Sequence, residues 1–231
     1  MKVNICIVGF LGRHLPKLVY LLSRVAESVY VITIVSDSSP VSFRNFLESI
    51  NKQKNVKLIK LQYHTSYSIF MRILNHIHMQ LRITLHLLML QRCVNLFLFF
   101  IGGEGLILPI LTLRLFKNKV ALMLGGVALK VSKLRRDPLV KILSLLFTLN
   151  LHLVDAVIVY SHDLIREARL DVYRSKIIIA HEHFLDFTKF KIERELDERP
   201  NVIGFIGRLS PEKGILNLIY AIPLIVREVR E

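Results

Sequence analysis

The stretch VNICIVGFLG, Val3 to Gly12, decides the fold. Val3–Val8 is an apolar run that closes on Gly9-Phe10-Leu11-Gly12, and helical periodicity follows to about Ala26. A strand with one wet face alternates apolar and polar residues. One that is apolar at successive positions is covered on both faces, as in a parallel sheet lying between layers of helices.

The same unit recurs along the chain. Further apolar strands are expected at Val29–Val35, Val56–Leu61, Asn95–Ile101, Val120–Leu124, Ala156–Tyr160 and Ile177–Ala180. The intervening segments read as helices: one from about Ser42, one over Ser68–Arg92, one ending near Phe116, one opened by Asp137-Pro138 and running to about Leu153, and one over Asp163–Leu170. Strand and helix in alternation, joined by right-handed crossovers, make a doubly wound α/β sheet whose ligand sits beyond the carboxyl ends of the strands. Residues 1–190 are expected to form this Rossmann-like domain. Lys191–Pro200 (KIERELDERP) is dense in charge and has no apolar run, so 191–200 reads as a linker. At 201 the pattern restarts: a strand over Asn201–Ile206, a tight turn at Gly207-Arg208-Leu209, and a helix from Ser210-Pro211 onward, with Ser210 as N-cap, Pro211 in the first turn and Pro223 as a kink. Residues 201–231 are thus one strand–helix unit of a second domain. A single unit cannot bury its own apolar face, so that domain is expected to be incomplete.

The 231 residues are 52% hydrophobic, with a mean hydropathy of +0.46, which excludes a disordered chain. Two cysteines, Cys6 and Cys93, are too few for a disulfide framework or a four-cysteine zinc site. Uncharged runs such as Ile142–Val154 and Cys93–Gly103 fall short of the roughly 20 residues a spanning helix needs. The N-terminus lacks the basic start and long apolar run of a secretory leader. A cytoplasmic protein with one membrane-facing surface is expected.

Charge is concentrated. The chain has 32 Lys and Arg against 18 Asp and Glu, a net charge of +14. From Ser49 to Arg136 a single acid, Glu104, stands against fourteen bases, which is +13 of that excess. Such a one-sided field attracts a polyanion, either nucleic acid or an anionic leaflet. Aromatic platforms alternating with arginine, the mark of single-strand nucleic-acid binding, are missing, and this disfavours nucleic acid. Over Ser68–Arg92, helical spacing puts Phe70, Ile73, Leu74, Ile77, Leu81, Leu85 and Leu88 on one stripe and Arg72, Asn75, His76, Met79, Arg82 and His86 on another. With the apolar stripe inward, the second face is either an ordinary solvated surface or an interfacial one.

The sharpest motif is VIGFIGRLSPEKGILNLIYA, Val202–Ala221. Gly207 allows a tight turn, and Arg208 and Lys213 flank a helix N-terminus whose free N–H groups and dipole favour an anion. A guanidinium and an ammonium on either side of it would clamp a diphosphate. The plainer reading is a surface Arg and Lys beside a routine strand–helix turn.

Gly207-Arg208-Leu209-Ser210-Pro211-Glu212-Lys213-Gly214 resembles the G-R-L-x-x-E-K-G motif of family 4 glycosyltransferases, retaining enzymes of the GT-B fold that use nucleotide-sugar donors. The likeness extends to Gly9-Phe10-Leu11-Gly12 as the glycine loop, to Asp155–Ser161 as the last long strand of the N-terminal domain, and to His181–Phe190 ahead of the linker. The resemblance implies that Arg208 and Lys213 bind the donor diphosphate and offset charge on the departing nucleotide. Gly9 and Gly12 would let backbone approach the donor or acceptor, and Gly102, Gly103, Glu104, Gly125 and Gly126, at strand ends, would line the cleft. It implies residues 1–190 as the acceptor-side domain and 201–231 as the start of the donor-binding one. It also implies a nucleotide-sugar co-substrate with no metal or resident cofactor, a lipid-linked or glycan acceptor of the cell envelope, and a peripheral position on the inner face of the cell membrane, which favours the interfacial reading of the Ser68–Arg92 helix.

The chain departs from the family pattern in three places. Its paired glutamates (E-x7-E) lie beyond Glu231, Gly125-Gly126 stand where many members have a histidine, and His183-Phe184 replace an Asn-Gly turn. No catalytic residue is assigned, little activity is expected of these residues alone, and a second polypeptide would supply the remainder. The alternative is a non-catalytic basic α/β module that docks on anionic membrane or nucleic acid. The histidines match no metal motif, and neither cysteine has the setting of a nucleophile.

Overall fold

The computed structural model describes residues 3–12, 14–36, 53–64, 66, 68–101, 103–126, 137–180, 191–200, 202–207, 209 and 213–228. The expected helix near Ser42 lies outside them. The chain divides into two compact units, Met1–Glu182 and His183–Glu231.

Among the described residues the first unit carries seven strands: β1 Asn4–Phe10, β2 Ser28–Ser36, β3 Val56–Tyr63, β4 Leu96–Phe100, β5 Val120–Leu124, β6 Ala156–Val159 and β7 Ile177–Ile179. Its helices among the described residues are α1 Leu15–Val25, α2 Ile69–Leu90, α3 Ile107–Leu115, α4 Val140–Leu153 and α5 His162–Glu167. The strands lie in the order β3-β2-β1-β4-β5-β6-β7, and every pairing is parallel. This is the doubly wound α/β sheet read from the sequence. The first strand runs two residues beyond its apolar run, because Gly9 is paired on both sides, with Thr33 of β2 and Phe100 of β4.

The period-two alternation of strand side chains sorts the core into two layers. On one face Cys6, Val8, Ile32, Phe97, Phe99 and Leu122 pack with Met79, Ile83 and Leu87 of α2, Ile110 and Leu113 of α3, Leu151 of α4 and Leu164 of α5. On the other, Ile5, Ile7, Val29, Val31, Leu98 and Phe100 pack with Leu15 and Val19 of α1. Cys6 is fully enclosed, and burial pushes its thiol far up from its ordinary pKa, so it behaves as a small hydrophobe.

Helix ends follow their local chemistry. The Ser161 hydroxyl accepts from the Leu164 N–H at 3.2 Å, capping α5. Asp137 accepts from the Leu139 N–H at 3.0 Å ahead of α4, the role expected of Asp137-Pro138.

In the second unit α6 spans Ile215–Glu228 with Pro223 inside it, which removes one intrahelical hydrogen bond. It follows Gly214 at φ 71°, a conformation that costs an L-residue about 1–2 kcal/mol, which accounts for the last glycine of the motif. The strand expected at 201–206 differs: residues 202–206 carry no ladder, and Ile206 is fully exposed. A strand is stable only beside a partner, and among the described residues of this unit there is none.

Candidate functional site

The strand order reverses at β1, which has β2 on one side and β4 on the other, so the switch point of the sheet lies between the carboxyl ends of β1 and β4. Three segments lie along this edge: Gly9–Gly12 at the end of β1, Ile101 and Gly103–Gly105 after β4, and Gly125-Gly126 after β5.

The glycines here fall into two groups. A Cβ on Gly9 would lie 2.6 Å from the Phe100 carbonyl oxygen, one on Gly103 2.8 Å from the Phe99 Cβ, and one on Gly125 2.5 Å from the Ile101 Cδ1. These three are glycine because neighbouring strand ends pack against them. Among the described residues Gly12 has nothing nearer than 4.0 Å and Gly126 nothing within 4 Å, so their backbones are open to a visiting molecule. Ile101, between them, has φ 24°, rare for a β-branched residue. Its N–H donates to the Met123 carbonyl at 3.2 Å. Strained residues of this kind concentrate where a ligand is handled.

A row of polar side chains on α2 holds the turn after β4. Arg72, His76, Gln80 and Thr84 are spaced four apart and share one side of the helix. The Arg72 guanidinium donates to Asp137 at 2.8 Å, the His76 Nε2–H to the Gly105 carbonyl at 3.1 Å, and the Thr84 hydroxyl to the Gln80 carbonyl at 2.8 Å. The Gln80 Oε1 accepts from the Leu108 N–H at 2.9 Å, covering an orphan donor in the first turn of α3. This overturns the expected orientation of α2. Its buried side is Met79, Gln80, Ile83, Thr84 and Leu87, and the stripe expected inside, Phe70 to Leu85, is exposed. The four-residue spacing was present in the sequence, but the backbone groups it serves are visible only once β4 and α3 are in place.

Hydrogen bonds from the Arg72 side chain and the Leu139 N–H hold the Asp137 carboxyl below its ordinary range, outweighing partial burial. A depressed carboxylate pKa adds stability that is present above the unfolded value, near 3.9, and is lost as pH falls through the folded one. Asp137→Asn is therefore expected to lower the urea midpoint at neutral pH by an amount equivalent to about 1 kcal/mol, with the difference from the unsubstituted chain shrinking below about pH 4.

Of the residues singled out from sequence, Gly9, Gly12, Gly103, Gly125 and Gly126 lie along this edge, with Glu104 in the Gly103–Gly105 turn. Gly102 and Arg208 lie outside the described residues. Lys213 belongs to the second unit, where it is exposed one residue before Gly214. A separate recess of about 160 Å³ beside β3, lined by Gln62, Tyr63, His64, Asn75, Met79 and Arg82 among others, is too small for a nucleotide sugar, since pockets for such ligands hold about 300–1,000 Å³.

The fold recurs in solved structures. A protein assigned as a UDP-N-acetylglucosamine 2-epimerase from Listeria monocytogenes matches 78% of this chain and 45% of its own, at 10% identity and TM-score 0.54. A UDP-glucosyltransferase from Polygonum tinctorium that glucosylates indoxyl matches 87% and 57%, at 13% identity and TM-score 0.54. LpCGTa, solved in complex with UDP, matches 78% and 53%, at 10% identity and TM-score 0.51. These neighbours are GT-B proteins. The sheet is the Rossmann-like sheet of that fold. The chain spans about half the length of the structures it matches. No protein-family model and no curated protein matches it.

Proposed function

We propose that this chain is the acceptor-side half, with the start of the donor-side half, of a GT-B glycosyltransferase of the family 4 type. It transfers a sugar from a nucleotide-sugar donor to a lipid-linked or glycan acceptor of the cell envelope, at the inner face of the cell membrane. The bond between the anomeric carbon and the donor phosphate breaks, a bond to an acceptor hydroxyl forms, and the hydroxyl proton leaves with the nucleoside diphosphate or solvent. Arg208 and Lys213 offset the charge on that leaving group. Gly12 and Gly126 present open backbone to the sugar or acceptor. A second polypeptide completing the C-terminal unit is part of this reading, since residues 202–206 and the apolar side of α6 are exposed.

The observation that carries the proposal is a GT-B-type sheet with open glycines at its switch point, in the same chain as the motif Gly207–Gly214. Two neighbours of that fold are named for UDP-sugar chemistry. Calorimetric titration of the chain with UDP, GDP and their sugars tests it. Binding of one nucleotide series is expected, weakened about tenfold by Arg208→Ala and again by Lys213→Ala, as for lost charge-assisted contacts to phosphate. Failure of every nucleotide sugar to bind, or affinities unchanged in both variants, overturns it.

A further inference from the structure

Helix α2 is turned the wrong way for a helix that faces water. Its outward side presents Phe70, Leu74, Ile77, Leu81, Leu85 and Met89, with Phe70 and Met89 each 68% exposed and Leu85 62%. They extend along about 29 Å of helix, at 1.5 Å per residue. The inward side carries the bonds of Arg72, His76 and Gln80 to Asp137, Gly105 and Leu108. Rotating the helix to bury its leucines would orphan all of these, so the exposure is built into the packing.

The layer continues beside it. Helix α2 packs on α3 and α3 on α4, all on one face of the sheet. Leu111 and Leu115 of α3 and Ile142, Leu145 and Leu149 of α4 are exposed in turn, Leu115 by 74%. Soluble monomers seldom expose contiguous apolar surface of this kind without a partner for it. Around it stand exposed cations: Arg92 after α2, Lys117 and Lys119 after α3, and Lys141 on α4. None has an ion pair among the described residues, and the acids that flank α4, Asp137 and Asp155, are taken by Arg72 and Arg114.

We infer that this face, the outer surface of α2, α3 and α4, is a docking surface for an anionic lipid bilayer. The apolar side chains enter the boundary between headgroups and acyl chains, and the cations meet lipid phosphates. No described helix is long and apolar enough to cross a membrane, so the layer lies in the interface plane. A second copy of the chain is the poorer occupant. A two-fold contact would set the same cations against each other with no free acid among the described residues of the face to pair them. The inference deepens the membrane-surface reading above, naming the surface and the lipid charge. Docking needs no donor sugar, so its failure and the failure of sugar transfer are separate results.

The test is co-sedimentation of the full chain with vesicles of phosphatidylcholine alone and of equimolar phosphatidylcholine and phosphatidylglycerol. Binding to the anionic vesicles is expected, reduced but not abolished by salt. Leu81→Glu with Leu85→Glu should lower the partition coefficient at least about tenfold, with circular dichroism unchanged because both side chains point outward. Replacing Arg92, Lys117 and Lys119 by Gln should lower it about fivefold per cation. The inference is overturned if the chain stays in the supernatant with both vesicle types, if it binds both equally, or if the leucine variant binds as well as the unsubstituted chain. It is also overturned if Leu85→Cys cross-links to another copy and vesicles leave that dimer intact.

Discussion

Replacing Gly9 by alanine is expected to remove about 3 kcal/mol or more of stability from the N-terminal unit, a large share of the roughly 5–15 kcal/mol of a typical domain. Gly9 lies in β1 between two parallel neighbours, opposite Thr33 on one side and Phe100 on the other. The added Cβ would meet the Phe100 carbonyl oxygen at 2.6 Å and the Phe100 Cβ at 3.3 Å. The obstacle is backbone, and β4 cannot step aside because its other edge is bonded to β5. Two companion substitutions isolate the cause. Gly125→Ala meets the end of the Ile101 side chain, which can turn away, so about 1 kcal/mol is expected. Gly12→Ala meets nothing nearer than 4.0 Å and should fall within about 0.5 kcal/mol of the unsubstituted chain. Urea unfolding of the three variants measures the series. A Gly9→Ala chain as stable as the Gly12→Ala chain would refute the account of strand packing at the switch point.

The same edge shows what the sequence could reveal. The strands were legible because a strand covered on both faces leaves an unbroken apolar run, and Val120–Leu124 is buried throughout in the structure. Their order was not, since nothing local in Val3–Val8 states that β2 and β4 will flank it. Without the order, Gly9, Gly103 and Gly125 could not be told from Gly12 and Gly126, although the first three serve packing and the last two face open space. Helix α2 shows a different limit. Its two faces were legible from periodicity, but which face turns inward depends on the Gly105 carbonyl and the Leu108 N–H, backbone groups of a segment some thirty residues away that need partners. Buried polar groups left unpaired cost about 1–3 kcal/mol each, enough to outweigh burying a leucine in their place. In the second unit a strand pattern over Asn201–Ile206 stated a propensity, and propensity without a neighbouring strand forms no ladder.

Asp155→Ala is expected to cost the same unit about 2 kcal/mol, because one carboxylate joins three elements. Its Oδ2 accepts from the Arg114 guanidinium at 2.6 Å and from the Val120 N–H at 2.9 Å, so it ties the end of α3 to the start of β5. Its own N–H donates to the Val120 carbonyl at 2.9 Å, which sets the start of β6 beside β5. Arg114 also donates to the Asn118 carbonyl at 3.1 Å, closing a turn in which Lys117 has φ 57°. Alanine would leave the guanidinium and the Val120 N–H without their acceptor. The two side chains are 28% and 33% exposed, so water reaches part of the pair and the loss stays below the 3–5 kcal/mol of a fully buried one. Asn in place of Asp retains an oxygen for the Val120 N–H but not the charge, and about half the loss should remain. The Asp163–Arg166 pair is the control: both members are about three-quarters exposed, and Asp163→Ala should change stability by no more than about 0.5 kcal/mol. Urea midpoints at neutral pH, with an unchanged slope, distinguish these cases. Equal effects at Asp155 and Asp163 would mean that the carboxylate is a surface charge, and that the α3–β5–β6 corner is held by its backbone alone.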